Sequence, residues 1–406
     1  MTELERRADA AVEARRDAAE AFLAQLVAAP TVLGRERPGQ LLVARRLKAI
    51  GLPASVRDLD ADRLRRLPGF APVPHSYVAR PNVIAESVGS GGGRSLVLNG
   101  HIDVVSPEPV SWWSQDPWGG KIIGRRMYGR GSWDMKGGLV AALWALEAVR
   151  EAEIPLRGTV RFESVIEEEC TGNGTFAART DAPPADGAVI PECTGLDAFV
   201  STPVVLWVEI KVRGWPAYVG RPGEYVNAIE RTVELIARVR ETAAGHAAAG
   251  VTFSVGTIRG GDWASTVPLE CTFVCRVSAP REWSVAQTRQ LVEGWVAAAA
   301  GVDPWLRDHA PQVSYPGFQA EGWALEPTAD IAAALDDAHG SIVGGRLSRV
   351  EFPGTADGRY FAARGEPAIY YGPSGGNQHA PDEYVDLDSV LLVARVLARL
   401  IVEWCS

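Results

Sequence analysis

Cysteine is scarce in this chain: Cys170, Cys193, Cys271, Cys275 and Cys405 are the five thiols among 406 residues. An odd number in so long a chain argues against a disulfide framework. Excess positive charge is lacking as well. The formal net charge is −9, so no nucleic-acid partner is expected, since phosphate-backbone binding runs on clustered Lys and Arg. No apolar run approaches the ~20 residues that would span a bilayer, and no membrane partner is expected. The segment MTELERRADAAVEARRDAAEAFLAQL has no apolar centre of the secretory-signal kind. A reduced, cytoplasmic protein is therefore the expectation. Internal repeats are absent, as are low-complexity tracts beyond short alanine runs.

What is present is ordinary globular material, 47% hydrophobic and 22% charged, long enough for two domains or for one with an insertion. Residues 8–29 and QLLVARRLKAIG read as helices, the second stopped by Gly51. SYVARPNVIAESVG and RSLVLNGHIDVV read as strands, MKGGLVAALWALEAVREA as a largely buried helix, and GTVRFESVIEEE and GAVIPE as strands that each end on carboxylates. Strands alternating with helices predict an α/β domain. From Pro203 the pattern changes to β-α-β-β-α-β, ending near PQVSYPGF, which is the split βαβ arrangement. The helix TADIAAALDDAHG, the strand PAIYYGP and the helix LDSVLLVARVLARLIVEW then resume the first pattern. The fold class expected is α/β: a mixed-sheet catalytic domain (1–202 and 317–406) with an inserted ferredoxin-like α+β domain (203–316).

Within SLVLNGHIDVV, His101 and Asp103 stand two apart, so in extended chain their side chains share a face. A metal-bound imidazole usually gives its second ring N–H to a carboxylate or carbonyl. Asp134 in GRGSWDMKGG, Glu168 and Glu169 in VIEEECTGNG, Glu192 in VIPECTG and His379 in GNQHAPDEYV share the same kind of position, after a strand or in a Gly-rich loop. Singly each has a plainer reading: Asp134 as a helix N-cap, the glutamates as a solvated turn, Glu192 as surface loop, His379 as a harmless histidine. Together they point to one place, because ligands of open α/β sheets gather beyond the carboxyl ends of the strands. Imidazole with carboxylate, and no cysteine, suits Zn²⁺ or a similar divalent ion.

The motifs NGHIDVV, YGRGSWDMKGG, EEECTGNG, IPECTG, VNAIE, GGDWASTVP, GTADGRYF and HAPDEYV resemble those of the zinc-dependent deacylases and exopeptidases that include acetylornithine deacetylase, succinyl-diaminopimelate desuccinylase, aminoacylase and glutamate carboxypeptidase. The resemblance runs over almost the whole chain. It implies two metal ions, zinc foremost and manganese or cobalt as alternatives. His101, Asp134 and Glu192 would hold one ion; Asp134, Glu169 and His379 the other, with Asp134 shared. It implies Glu168 as general base, Asp103 as the group orienting His101, and a cis peptide after Asp134. It also implies a lid domain that forms a homodimer. Arg276, Gly354, Thr355 and Arg359 match positions near substrate, although a surface ion pair for Arg276 and a purely structural role for Arg359 stay open. Trp112, Trp113, Trp118, Trp133 and Trp215 crowd these motifs, as core packing or as a pocket wall.

Two departures stand out. Tyr218 occupies the place of a lid histidine that, in the family, reaches the partner subunit's site, and Ser265 replaces an asparagine before the motif's VP. The function expected is hydrolysis of a C–N bond, the amide of an N-acyl amino acid or a related small molecule, by direct attack of activated water. Alternatives are another C–N bond, carbamoyl or aromatic amine, and a non-catalytic metal-binding homologue.

Overall fold

The computed structural model describes residues 2–73, 75–218, 220–221 and 223–406. Its largest sheet has nine strands. Across it lie Ser55–Asp58, Pro81–Ser87, Val160–Val165, Leu96–His101, Gly187–Ile190, Ala368–Tyr371, Ala198–Thr202 and Trp323–Ala324, with Arg349–Glu351 paired to the 198–202 strand. The adjoining strands 160–165, 96–101, 187–190 and 368–371 run parallel. A parallel sheet covered on both faces needs apolar runs rather than alternation, and every residue of Leu96–His101 is buried. Because the four strands point the same way, His101, the 167–169 turn, Glu192 and the loop to His379 all leave the sheet at one edge.

The helices Glu3–Ala14, Gly138–Glu151, Asp330–Ile342 and Leu387–Trp404 pack on one another and share the main core with this sheet. The helix expected over 8–29 is two helices, Glu3–Ala14 and Arg16–Ala28, broken at Arg15, whose guanidinium reaches Glu147 and Glu151 of the 138–151 helix. The strand expected over 76–89 is only Pro81–Ser87. Before it the chain turns through Ala79, at φ 61°, and sends Tyr77 and Arg80 inward. The helix expected from Met135 starts at Gly138, after a wide turn over Ser132–Gly137 that carries Asp134 and a cis Asp134–Met135 peptide.

The inserted unit has its own sheet, in the order Thr252–Gly260, Glu270–Ala279, Val204–Arg213, Gln312–Ser314, antiparallel throughout. Helices Ala228–Ala244 and Val285–Gly301 cover one face. Leu206, Val208, Phe273, Val277, Leu235 and Val292 belong to a core separate from that of the large sheet. This is the ferredoxin-like arrangement. Gln319–Ala320 pairs once more with the 204–213 strand before the chain rejoins the large sheet at Trp323. All five cysteines are free and buried. Among the described residues no helix is long and apolar enough to cross a membrane.

Glycine at 138 is a packing requirement. A Cβ there would lie 1.6 Å from the carbonyl oxygen of Pro191, so the helix start sits directly against the exit of the Glu192 strand. Gly138→Ala is expected to lower stability by about 1–3 kcal/mol or more, as overpacking does. A urea midpoint equal to that of the wild type would contradict this seating.

Candidate metal centre

His101 ends its strand with its ring 1% exposed. Its Nδ1–H donates to the main-chain carbonyl of Asp103 at 2.9 Å, which leaves the Nε2 lone pair facing outward. The carboxylate of Asp103 lies 3.7 Å from Nδ1 and is occupied elsewhere. Its oxygens accept the backbone N–H groups of Glu168 and Glu169, each at 3.1 Å. Asp103 thus meets the imidazole through its carbonyl, sets its carboxylate 3.7 Å from the ring, and holds the glutamate turn with the same carboxylate.

Around His101 Nε2 stand Asp134 Oδ1 at 3.4 Å, Glu168 Oε2 at 3.8 Å and Glu192 Oε1 at 3.8 Å. His379 Nε2 lies 3.1 Å from Asp134 Oδ2 and 3.1 Å from Glu169 Oε2. Asp134 therefore lies between two imidazoles, one on each oxygen. Two donors bound to one tetrahedral ion at about 2.0–2.1 Å would be about 3.3 Å apart, so these separations fit metal ligation. His101 Nε2, Glu168 Oε1, Glu169 Oε1 and Glu192 Oε1 are buried without a hydrogen-bond partner. Buried polar atoms are rarely left so, and a cation-sized demand at this point is the simplest explanation.

The electrostatics agree. By themselves the side chains can answer the crowded carboxylates only with protons. Burial drives Glu168 well above the usual carboxylate range and pushes Glu192 up to about 8, in both cases against the pull of His101. Burial would lower His379, but Glu169 and Asp134 push it up to about 11. Asp134, buried yet bonded to both imidazoles, is held low. Divalent ions invert such a balance. The thiol of Cys193 lies beside Asp134 and Glu192. Burial first, and then Asp134, Glu192 and Glu169, raise its pKa well above the usual value, so it stays a thiol within the carboxylate–imidazole set.

The loops that carry these groups are fixed by buried charge. Glu383, fully buried, accepts N–H bonds from Gly131, Trp133 and Asp134 at 3.0–3.1 Å and pairs with Arg130 at 2.6 Å. Lys136 donates to the carbonyls of Leu26 and Ala29 at 2.8 and 3.0 Å, tying the same loop to a helix end. Glu167, at φ 69°, turns the chain after its strand. Its carboxylate accepts from Tyr77 at 2.5 Å and Thr171 at 2.7 Å and pairs with Arg80 at 2.9 Å, and Arg80 also grips Glu36. Gln378 donates to Asp134 Oδ2 at 2.8 Å. Sequence reasoning assigned nothing to Glu383, Arg80, Tyr77 or Gln378, and read Glu167 only as part of a solvated turn. Glu383 lay within a quoted motif, but no spacing announces a reach back of 250 residues.

A cavity of about 430 Å³ opens over the cluster, lined by Asp134, Glu168, Glu169, Glu192, Gln378 and His379 on one side. Opposite are Arg276, Gly354 and Thr355, with Val205, Trp207, Phe318, Phe352, Pro353 and Ala356. Arg359 lies beneath this wall, 8% exposed, donating to the carbonyls of Ala356 and Thr171 at 2.7 and 2.6 Å. Tyr218 stands on the inserted unit, 71% exposed, away from the cavity wall. None of Trp112, Trp113, Trp118, Trp133 and Trp215 lines the cavity; Trp112 and Trp215 are exposed. A larger cavity, about 700 Å³, lies at the Ser55–Asp58 edge of the sheet. Two of its arginines are already paired, Arg63 with Asp181 and Arg161 with Glu86 and Glu163, so it presents no comparable chemistry.

Residues 97–403 match the model of peptidase family M20/M25/M40. The chain belongs to this family. It is a metal-dependent hydrolase acting on a small molecule, and its curated relatives hydrolyse amides. It is 26% identical over 359 residues to N-formyl-4-amino-5-aminomethyl-2-methylpyrimidine deformylase of Halalkalibacterium halodurans, covering 81% of this chain and 84% of that protein. It is 26% identical over 403 residues to the succinyl-diaminopimelate desuccinylase of Thioalkalivibrio sulfidiphilus, covering 93% and 98%. Among solved structures, the di-peptidase Dug1p from Saccharomyces cerevisiae superposes with a TM-score of 0.81 over 100% of this chain and 99% of that one, at 12% identity, which is likeness of fold.

The Glu36–Arg80–Glu167 network predicts an order of stability losses. Tyr77→Phe removes one donor from a buried carboxylate and is expected to cost about 1–3 kcal/mol. Arg80→Met leaves two buried carboxylates without their cation and is expected to cost about 3–5 kcal/mol. Urea unfolding of both variants checks this, and a milder loss for Arg80→Met would contradict it.

Proposed function

We propose that the protein removes an acyl group from the nitrogen of an N-acyl amino acid or a related small molecule, with two divalent ions in the cluster, zinc foremost and manganese or cobalt as substitutes. The observation that supports this best is the convergence of unpartnered Glu168, Glu169 and Glu192 atoms on the floor of one cavity, with the unpartnered Nε2 of His101 within 3.8 Å of Glu168 and Glu192. The two relatives named above are a deformylase and a desuccinylase, and loss of an acyl group from nitrogen is what those names share.

In this reading His101, Asp134 and Glu192 hold one ion and Asp134, Glu169 and His379 the other. Bound there, the ions would supply Lewis acidity toward the amide carbonyl and lower the pKa of water. Glu168 takes the proton of the attacking water on its carboxylate and passes it to the leaving nitrogen. Its burial, which raises its proton affinity, suits a group that must hold that proton between the two steps. Asp103 keeps Glu168 and Glu169 in register by binding both main-chain N–H groups. Gly354 and Thr355 shape the substrate wall, Arg359 braces it from below, and Arg276 meets a substrate carboxylate. The body is assigned to 1–202 and 317–406 and the lid to 203–316. A homodimer through the lid, in the cytoplasm, completes the reading. Exposed Tyr218, Trp263 and Ile258 on that unit favour it.

Metal analysis with activity on N-acyl compounds, with and without chelator, tests the assignment. Asp134→Ala is expected to lose both ions, and two ions retained would overturn the shared-ligand role. Glu168→Gln should keep its metals and lose most turnover, since an amide cannot take the proton, whereas Glu169→Gln should weaken one metal site. Exchanged phenotypes would shift the assignment by one residue.

Tyr218 separates two versions of the chemistry. A neutral phenol that donates to the developing oxyanion would make Tyr218→Phe about 10²-fold slower at nearly constant KM. The version adopted here is that the substrate needs no lid donor. Tyr218→Phe is then mild and simple N-acetyl amino acids are poor substrates; their rapid deacetylation by the wild type would rule this out.

A further inference from the structure

The cavity wall facing the metal ligands has a composition that the amide-hydrolase reading does not require. Val205 and Trp207 lie on the 204–213 strand of the lid sheet, with Arg276 as the direct cross-strand neighbour of Trp207. The alternating residues Leu206, Val208, Cys275 and Val277 point the other way, into the lid core. Trp207 and Arg276 therefore stand side by side on the sheet face turned to the cavity, where cross-strand Cβ atoms are about 5 Å apart.

Trp207 is held in place. A Cβ on Gly317 would lie 2.5 Å from the Trp207 ring, so the indole rests directly on that glycine. Phe318 meets the indole edge-on, with centroids 5.4 Å apart at 81°. The Arg359 guanidinium lies 5.3 Å from the Phe318 centroid. Phe352, farther along the wall, stacks on Phe199 at 5.0 Å and 11°. Aromatic rings fixed in this way in a cavity offer faces and edges to another ring, and such pairs add to simple burial.

Arg276 is partly exposed, and it donates to the carbonyl of Pro353 at 3.4 Å. Among the described residues no carboxylate pairs with it. Burial alone acts on its pKa, downward, with no neighbouring anion to offset it. A guanidinium that lines a cavity without an anion is answered best by a planar bidentate acceptor.

Resting on the amide-hydrolase reading of the site, we infer that the half of the substrate remote from the scissile bond carries a flat aryl or heteroaryl ring, next to the carboxylate already assigned to Arg276. The ring lies against Trp207 and Phe318 and the carboxylate meets Arg276. A volume of about 430 Å³ accommodates one ring with its acyl amide.

Calorimetric titration of the metal-loaded enzyme with 3-phenylpropionate, 3-cyclohexylpropionate and 3-phenylpropionamide tests this without turnover. The acid with the aromatic ring is expected to bind about tenfold or more tightly than either of the others. Trp207→Leu should abolish the preference for phenyl over cyclohexyl, and Arg276→Met the preference for acid over amide, both with wild-type metal content. Equal or tighter binding of the cyclohexyl acid would overturn the aromatic part. An acid preference that survives Arg276→Met would mean that the carboxylate sits on the metal ions, and would overturn the rest. Either failure leaves the hydrolase reading standing, because that reading falls only with the metal content and turnover of the Asp134 and Glu168 variants.

Discussion

Four carboxylates that point into one buried space repel one another, and the catalytic body is built around that fact. Asp134, Glu168, Glu169 and Glu192 lie about two imidazoles at 3.1–3.8 Å. Without compensation each would move apart or take up a proton, as the upward displacement of Glu168 and Glu192 registers. The arrangement is held by the covalent chain rather than by attraction among its members. Four parallel strands end at one edge of the sheet and deliver their loops together, and two glycines allow the closest approaches. Gly138 lets a helix start sit on the carbonyl of Pro191, and Gly372 lies where a Cβ would come 1.8 Å from the carbonyl of Glu192.

Main-chain hydrogen bonds to buried carboxylates do the rest of the holding. Glu383 gathers three N–H groups of the Asp134 loop, and Asp103 gathers the N–H groups of Glu168 and Glu169. Glu167 is turned to φ 69° and anchored by Tyr77, Thr171 and Arg80. In the His379 loop, Asn377, His379 and Asp382 all sit at positive φ, a conformation that costs of order 1 kcal/mol per residue and persists only where the surroundings over-determine it. Asp382 accepts N–H bonds from Ser114 and Gln115, and Arg130 binds the carbonyl of Ala380, so those surroundings are identifiable.

The strand-end positions of His101, Glu169 and Glu192 were legible because a parallel strand buried on both faces is an apolar run that stops where the polar loop begins. The inserted β-α-β-β-α-β unit was legible for a similar reason: its elements are consecutive and locally patterned. What could not be read was contact across long separations. Asp103 and His101 suggested a side-chain pair by spacing, and their side chains lie 3.7 Å apart, but no spacing showed that the same carboxylate also accepts from a turn 65 residues away. Glu383 and Arg130 pair across 253 residues. The run of three glutamates looked like a solvated turn by composition, yet Glu167 is fully buried, because only the fold supplies Arg80 and Tyr77. Tryptophans near the motifs drew attention, whereas Trp207, in a strand with no motif, lines the cavity.

The two walls of the cavity differ in what fixes them. The metal-facing wall is bound into the main core by backbone hydrogen bonds from several loops, so a change there disturbs ligand geometry and stability together. The opposite wall stands partly on the lid sheet, whose apolar residues pack on its own two helices in a separate core. Substituting Trp207 or Arg276 alters the cavity face without removing a residue from that core, because alternation along each strand sends the core-forming side chains to the far face. The two walls thus stand on elements with separate cores. The period-2 geometry of the lid strands leaves its cavity face open to variation, while the crowded charges opposite allow almost none.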